Sequence, residues 1–252
     1  MGFINRKGTG MGKALLAIAA FVLTTGAAAS VSAQGDDKAA VDEAIKRFSK
    51  GFANPSPGAR ATAVLELSKT LHDKTLNRIL PLVVSDVSEV RIAAAKSLAE
   101  FADWKKIVTP TLTSALKPNE KDLKVLEAIY GTLGKLQDPL AVTTVHGNFR
   151  EPDVRVAKFA IACAGAMRQK ESMDALLELQ KDVQKWIKNK QAGPYRDDKG
   201  QQGDDNAIKT RHEDVQKTII KAFQEITKEK WATASEWEIW WNKKKATFEI
   251  PK

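Results

Sequence analysis

Residues 88–102, SEVRIAAAKSLAEFA, read as one amphipathic helix. Val90, Ala94, Leu98 and Ala102 fall on a single face, and Ala95 and Ala99 widen it. The opening of this stretch returns at 152–166, PDVRVAKFAIACAGA. Aligning on the apolar–basic pair adds two more copies, so that Ala59-Arg60, Val90-Arg91, Leu123-Lys124 and Val154-Arg155 recur at spacings of 31, 33 and 31 residues. Each pair opens a helical pattern, and the abundant alanine suits helices whose axes approach closely.

A shorter apolar segment follows each of these helices: TLNRILPLVVS, KKIVTPTLTSAL, PLAVTTVHGNF and SMDALLELQKDVQKWI. The breaks between them are short, as at His72-Asp73 and Gln137-Asp138-Pro139. Pro139 suits a first helical turn, whereas Pro81 and Pro110 should shorten or kink their helices. Strand signals are nearly absent. The unit is therefore a helix–turn–helix hairpin, repeated about four times. One such hairpin cannot bury its apolar face alone, but stacked hairpins share a continuous core, and a fixed period of this length is the mark of that arrangement.

The Trp-Leu-Gly-Tyr pattern of tetratricopeptide repeats and the Thr-Pro-Leu-His pattern of ankyrins are missing. An acid, an apolar residue and a base before alanine-rich turns, as in Glu89-Val90-Arg91, Asp122-Leu123-Lys124 and Asp153-Val154-Arg155, resembles the first helix of short HEAT-type repeats. The resemblance covers roughly residues 57–190 and implies an all-α fold, a right-handed α-solenoid of about four hairpins with helical caps. It also implies that Arg60, Arg91, Lys124 and Arg155 pair with acids along the stack as a ladder between repeats. Gly58 stands where the first acid would be, and the third repeat has Lys124 for arginine and Glu127 where a small residue is usual.

The ends read differently from the middle. Arg6, Lys7 and Lys13, an uncharged apolar run and the small residues Val31-Ser32-Ala33 make residues 1–33 a secretory signal peptide, cleaved near Ala33. The expected location is therefore the periplasm or the exterior, with membrane attachment only if that segment is retained. The formal net charge of +9 becomes +6 without those three bases, and the remaining charges are interspersed in the manner of solvated helix faces. Residues 34–190 form the repeat region, headed by a capping helix at 37–53. Residues 191–206, QAGPYRDDKGQQGDDN, have the composition of a flexible loop, and 207–252 form a C-terminal helical cap. Its last helix begins at Thr233 with Glu236 three residues on, a capping box.

Chemistry-bearing constellations are sparse. Cys163 is the only cysteine and sits among Ala160, Ile161, Ala162 and Ala164, as a small core residue would. Asp197, Asp198, Asp204 and Asp205 are hard oxygen donors, but they miss the alternating register of a calcium loop. His72, His146 and His212 lie far apart, none with a second ligand at metal spacing. No phosphate loop and no nucleophile–base order appears, so neither cofactor nor catalytic residue is expected.

Four of the six tryptophans crowd into WATASEWEIWW at 231–241. Trp237, Trp240 and Trp241, followed by Lys243 and Lys244, either seal the last hairpin or form an aromatic–basic surface for a partner. Trp-rich endings of this kind resemble those of exported bacterial HEAT-repeat proteins. The function expected is a monomeric interaction scaffold for a protein partner, without nucleic acid. Binding of an anionic envelope polymer or lipid surface is the alternative, and a lyase-like subunit, which some short HEAT-type proteins resemble, is a third class. Exposed positions of the second helices, Arg78, Lys105, Lys106, Thr143 and Lys181, are further candidate contacts.

Overall fold

The computed structural model describes residues 26–231 and 233–251, with side chains from Lys38 onward. The signal-peptide assignment falls largely on residues 1–25, which lie outside the described residues. Contacts divide the chain into a unit ending at Ala40 and a unit from Val41 to Lys252. The described part of the first is the opening of helix α1 (Gly26–Phe52); all other elements belong to the second.

The second unit is all-helical among the described residues. After α1 come α2 (Pro57–Leu67), α3 (Asp73–Ile79), α4 (Ser88–Ser97), α5 (Lys105–Ala115) and α6 (Leu123–Leu136). Then follow α7 (Val142–Gly147), α8 (Val154–Met167), α9 (Ser172–Lys188), α10 (Asp205–Thr227) and α11 (Ala234–Lys244). Short 3₁₀ turns join several of them. Pro81 does shorten its helix: α3 stops at Ile79 and a 3₁₀ turn, Leu80–Val83, replaces it. Pro110 does not end α5, because it sits on the solvent side, where the Lys106 carbonyl it leaves unpaired can take a water instead.

The first helices of the hairpins pack in chain order, α2 on α4, α4 on α6, and α6 on α8, and α10 continues the row against α8. Apolar side chains from Ala44 to Trp241 form one connected core beneath it. Small residues let the axes close up. A Cβ added to Gly134 would lie 2.9 Å from the Ala166 methyl, and one added to Gly165 would lie 2.8 Å from the Ala222 Cα. Polar bonds between residues about one repeat apart tie the hairpins together: Thr109 donates to Asp138, Arg150 to Asp182, and Gln169 to the Gln137 carbonyl.

The helix starts revise the repeat alignment. The N-caps of the four first helices are Ser56, Val87, Asp122 and Asp153, and their carbonyls accept the first helical bonds from Arg60, Arg91, Leu126 and Ala157. Arg60 and Arg91 therefore occupy the fourth helical position, but Lys124 and Arg155 occupy the second. The aligned triplets look alike yet sit two residues apart in helix register. The physical cause is the acid itself. A short aspartate side chain caps a helix, and Asp122 and Asp153 accept from Val125 and Arg155 backbone N–H groups, whereas the longer Glu89 lies inside its helix.

Residues 191–204 carry no helix, and they are pinned to the core. Tyr195 is fully buried and its hydroxyl donates to the Phe149 carbonyl at 3.0 Å. The Arg196 N–H donates to the Pro152 carbonyl, and Asp153 and Arg196 form an isolated parallel bridge. One aromatic in a polar segment gives no periodicity, so composition alone reads that segment as loose.

Candidate functional site

The shift in register decides which of the expected ladder residues form rungs. Arg60 donates to Asp86, in the bend before α4, at 2.8 Å, and Arg91 to Asp122, the N-cap of α6, at 2.9 Å. The Arg60 guanidinium holds the Asp86 carboxyl below the usual carboxylate range. Arg155 instead turns back on Asp153, two residues away, at 2.6 Å. Lys124 is exposed and makes no ion pair among the described residues, and neither does Glu89. The structure thus brings together two rungs of the expected four.

The C-terminal tryptophans face inward. Trp237 and Trp241 are buried, and their indole N–H groups donate to the Trp231 carbonyl and to Asp174 on α9. Burial works against the Asp174 carboxylate, but bonds from Lys245 and Trp241 outweigh it and keep its pKa below the usual range. Trp240 is half-buried against Trp237 and Phe248. Two of the three rings proposed for partner contact therefore offer a partner no surface; Lys243 and Lys244 remain exposed.

An open surface of a different kind lies on the outer face of the first helices. A groove of about 870 Å³ crosses α2, α4 and α6, and a second of about 480 Å³ runs between α1 and α2; the two share Lys69. Helical spacing puts the lining on one stripe of each helix: Leu65 and Lys69 at the end of α2, Ile92, Lys96 and Glu100 on and just after α4, and Lys124, Ala128, Gly131 and Lys135 on α6. Leu65 is 44% exposed although apolar. No atom lies within 4 Å of a Cβ built on Gly131, so the floor dips there. Lys69 pairs with Glu66, but Lys96, Lys124 and Lys135 have no ion pair among the described residues. The Ser97 hydroxyl, which borders the groove, is buried without a hydrogen-bond partner, while Thr132 beside it is satisfied by the Ala95 carbonyl.

Sequence reasoning looked for contacts on the second helices and missed this face. Of its candidates there, Lys181 is already paired with Glu238. The overlooked signal was the outward stripe of the first helices, where a lysine follows an apolar residue by one turn in both Leu65–Lys69 and Ile92–Lys96.

Among the described residues no cluster of three or more His, Cys, Asp or Glu could hold a metal ion, and no helix is long and apolar enough to cross a membrane. Cys163 is buried and burial pushes its thiol up to about 12, far from a reactive thiolate. No protein-family model and no curated protein sequence matches this chain.

Proposed function

We propose that this chain is a non-catalytic interaction scaffold of the HEAT-repeat kind, exported after cleavage near Ala33, whose hairpins stack as a right-handed α-solenoid and hold a protein partner in the groove across α2, α4 and α6. The chain-order packing of the first helices supports the solenoid, since each hairpin then buries its apolar face on its sequence neighbours. The two arginine rungs, each from one first helix to the entry of the next, support the HEAT likeness. The basic, apolar leader supports export.

The observation that carries the binding reading is the set of three unpaired lysines standing over apolar side chains on adjacent first helices. Leu65 and the half-buried Ile92 give this groove apolar surface beside its lysines, and that combination supports binding of a partner with both charged and apolar groups.

The test is site-specific photocrosslinking in cells that produce the chain. A photoreactive residue at Gly131 or Lys96 should give a discrete protein adduct, and one at Lys217, on the exposed side of α10, should give none. Absence of adducts from both groove positions, or equal adducts from all three, refutes the reading. Exposed Lys243 and Lys244 beside the Trp240 edge favour a second reading, an anionic envelope polymer or lipid surface docking at the C-terminal end. Its mark is affinity that falls steeply with added salt.

A further inference from the structure

We infer that the occupant of the α2–α4–α6 groove is an extended polypeptide segment with an acidic residue at about every third position and apolar residues between; this rests on the scaffold reading above. The groove is lined from three successive first helices, α2, α4 and α6. Packed helices lie about 8–10 Å apart, so the lined track is roughly 16–20 Å long and matches about five or six extended residues.

Two tracks run along it. Leu65, Ile92 and Ala128 supply one apolar residue per helix, and Lys69 and Lys96 stand one turn beyond the first two of these. On α6 the cationic track is doubled, by Lys124 one turn before Ala128 and Lys135 beyond it. Lys69 is held by Glu66, so the unpaired cations stand on two neighbouring helices, and a ligand meets them with carboxylates set one helix spacing apart. A polyproline-type extended chain does so: it has three residues per turn and rises about 9.3 Å per turn, so every third side chain faces the same way at nearly the helix separation. One face would carry carboxylates to the lysines, and a neighbouring face would carry apolar groups to Leu65 and Ile92.

The acids of the groove separate this ligand from a uniform polyanion. Glu100 and Glu127 interleave with the lysines, and Glu66 already neutralises Lys69. A polymer charged at every unit would press anions against those carboxylates, a cost that a peptide with spaced charges avoids. The unpartnered Ser97 hydroxyl at the groove edge is a further donor or acceptor for a peptide main chain, which offers both.

The test uses defined probes on the full chain. A fluorescein-labelled peptide of four Glu-Pro-Leu units should bind saturably. A peptide of the same composition with all glutamates at one end should bind about tenfold more weakly or worse. The double variant Lys96→Glu/Lys124→Glu should lose about tenfold in affinity or more, as should Gly131→Leu, which fills the open floor, whereas Lys230→Glu, an exposed lysine elsewhere, should change little. Circular dichroism of each variant establishes that it is folded. The inference falls if the spaced peptide does not bind, if groove variants bind it as the parent does, or if polyglutamate, an acidic polysaccharide or anionic vesicles bind as tightly through the same lysines. If it falls while groove-specific protein adducts persist, the scaffold reading stands and only the occupant is wrong.

Discussion

Adding one methyl group at Gly165 tests whether α10 continues the row of first helices. The Cβ of an alanine there would sit 2.8 Å from the Ala222 Cα, 2.8 Å from a Glu225 carboxylate oxygen and 3.0 Å from the Ala222 Cβ. Glu225 can swing away, but the two Ala222 atoms move only with α10 itself. Restoring ordinary contact separates the axes by roughly half an ångström to an ångström, and a gap of that size forfeits a quarter to a half of each dispersion contact along the seam. Overpacking of this kind costs about 1–3 kcal/mol, while replacing a mid-helix glycine by alanine returns about 1 kcal/mol of helix propensity. The expected net loss is therefore about 0–2 kcal/mol, where an unhindered alanine would be a gain. Gly131→Ala on α6 is the internal control, because nothing lies within 4 Å of its Cβ, and it should gain about 0.5–1 kcal/mol. Urea unfolding, followed by circular dichroism and tryptophan fluorescence, reads both; the Gly165→Ala midpoint should fall by up to roughly 1 M and the Gly131→Ala midpoint should rise. A Gly165→Ala midpoint that rises as much as that of Gly131→Ala would refute the close approach of α8 and α10.

Three further outcomes are expected. Lys228, exposed and left-handed at φ 63° where α10 ends, should gain about 1 kcal/mol in midpoint stability when replaced by glycine, which adopts that conformation without a Cβ clash. A double-mutant cycle of Arg91→Ala and Asp122→Ala should return a coupling of about 1 kcal/mol, while Lys124→Ala, removing no pair, should change stability by less than about 0.5 kcal/mol; a coupling near zero would remove the rung. Burial lowers the pKa of His212 below 6.5, Arg211 adding to the shift, while the Ala192 backbone opposes it. The unfolded chain then binds the proton more readily, so the stability His212 contributes is complete above about pH 6.5 and is lost as pH falls below it. His212→Phe should flatten that slope in urea titrations between pH 7 and 5, in part only, since burial lowers His146 as well; an unchanged slope would contradict the burial.

Much of the framework could be read from residue patterns because it depends on short-range rules. The Thr233–Glu236 capping box makes both of its reciprocal bonds. Cys163 lies where its alanine neighbours place it, buried on the inner face of α8. The tryptophan-rich end was legible as a choice between seal and surface, and what decides for Trp241 is Asp174, sixty-seven residues away in sequence, which no local pattern can reveal. The same holds for Tyr195 and His212, which meet Trp186 only because a glycine at φ 60°, Gly193, lets the backbone pass over the histidine ring.

The register of the repeats shows how a small local preference propagates to the candidate site. Glu-Val-Arg at 89–91 and Asp-Leu-Lys at 122–124 are the same pattern of charge, yet aspartate is short enough to cap and glutamate is not. Capping at Asp122 starts α6 two residues later relative to the triplet than α4 starts relative to its own, and that displacement moves the base from the fourth helical position to the second. At the fourth position Arg91 is partly buried and tied to Asp122; the equivalent place on α6 is Leu126, inside the core. Lys124 is thereby released from the ladder and left over the groove, between Ile92 of one helix and Ala128 of its own. Lengthening the cap side chain, Asp122→Glu, removes the Arg91 rung's ideal partner and the cap together, so it should cost about 1–2 kcal/mol, more than Asp122→Asn, which keeps the cap and loses only the charge. If the two variants unfold at the same urea concentration, the cap does not set the register, and the position of Lys124 needs another cause.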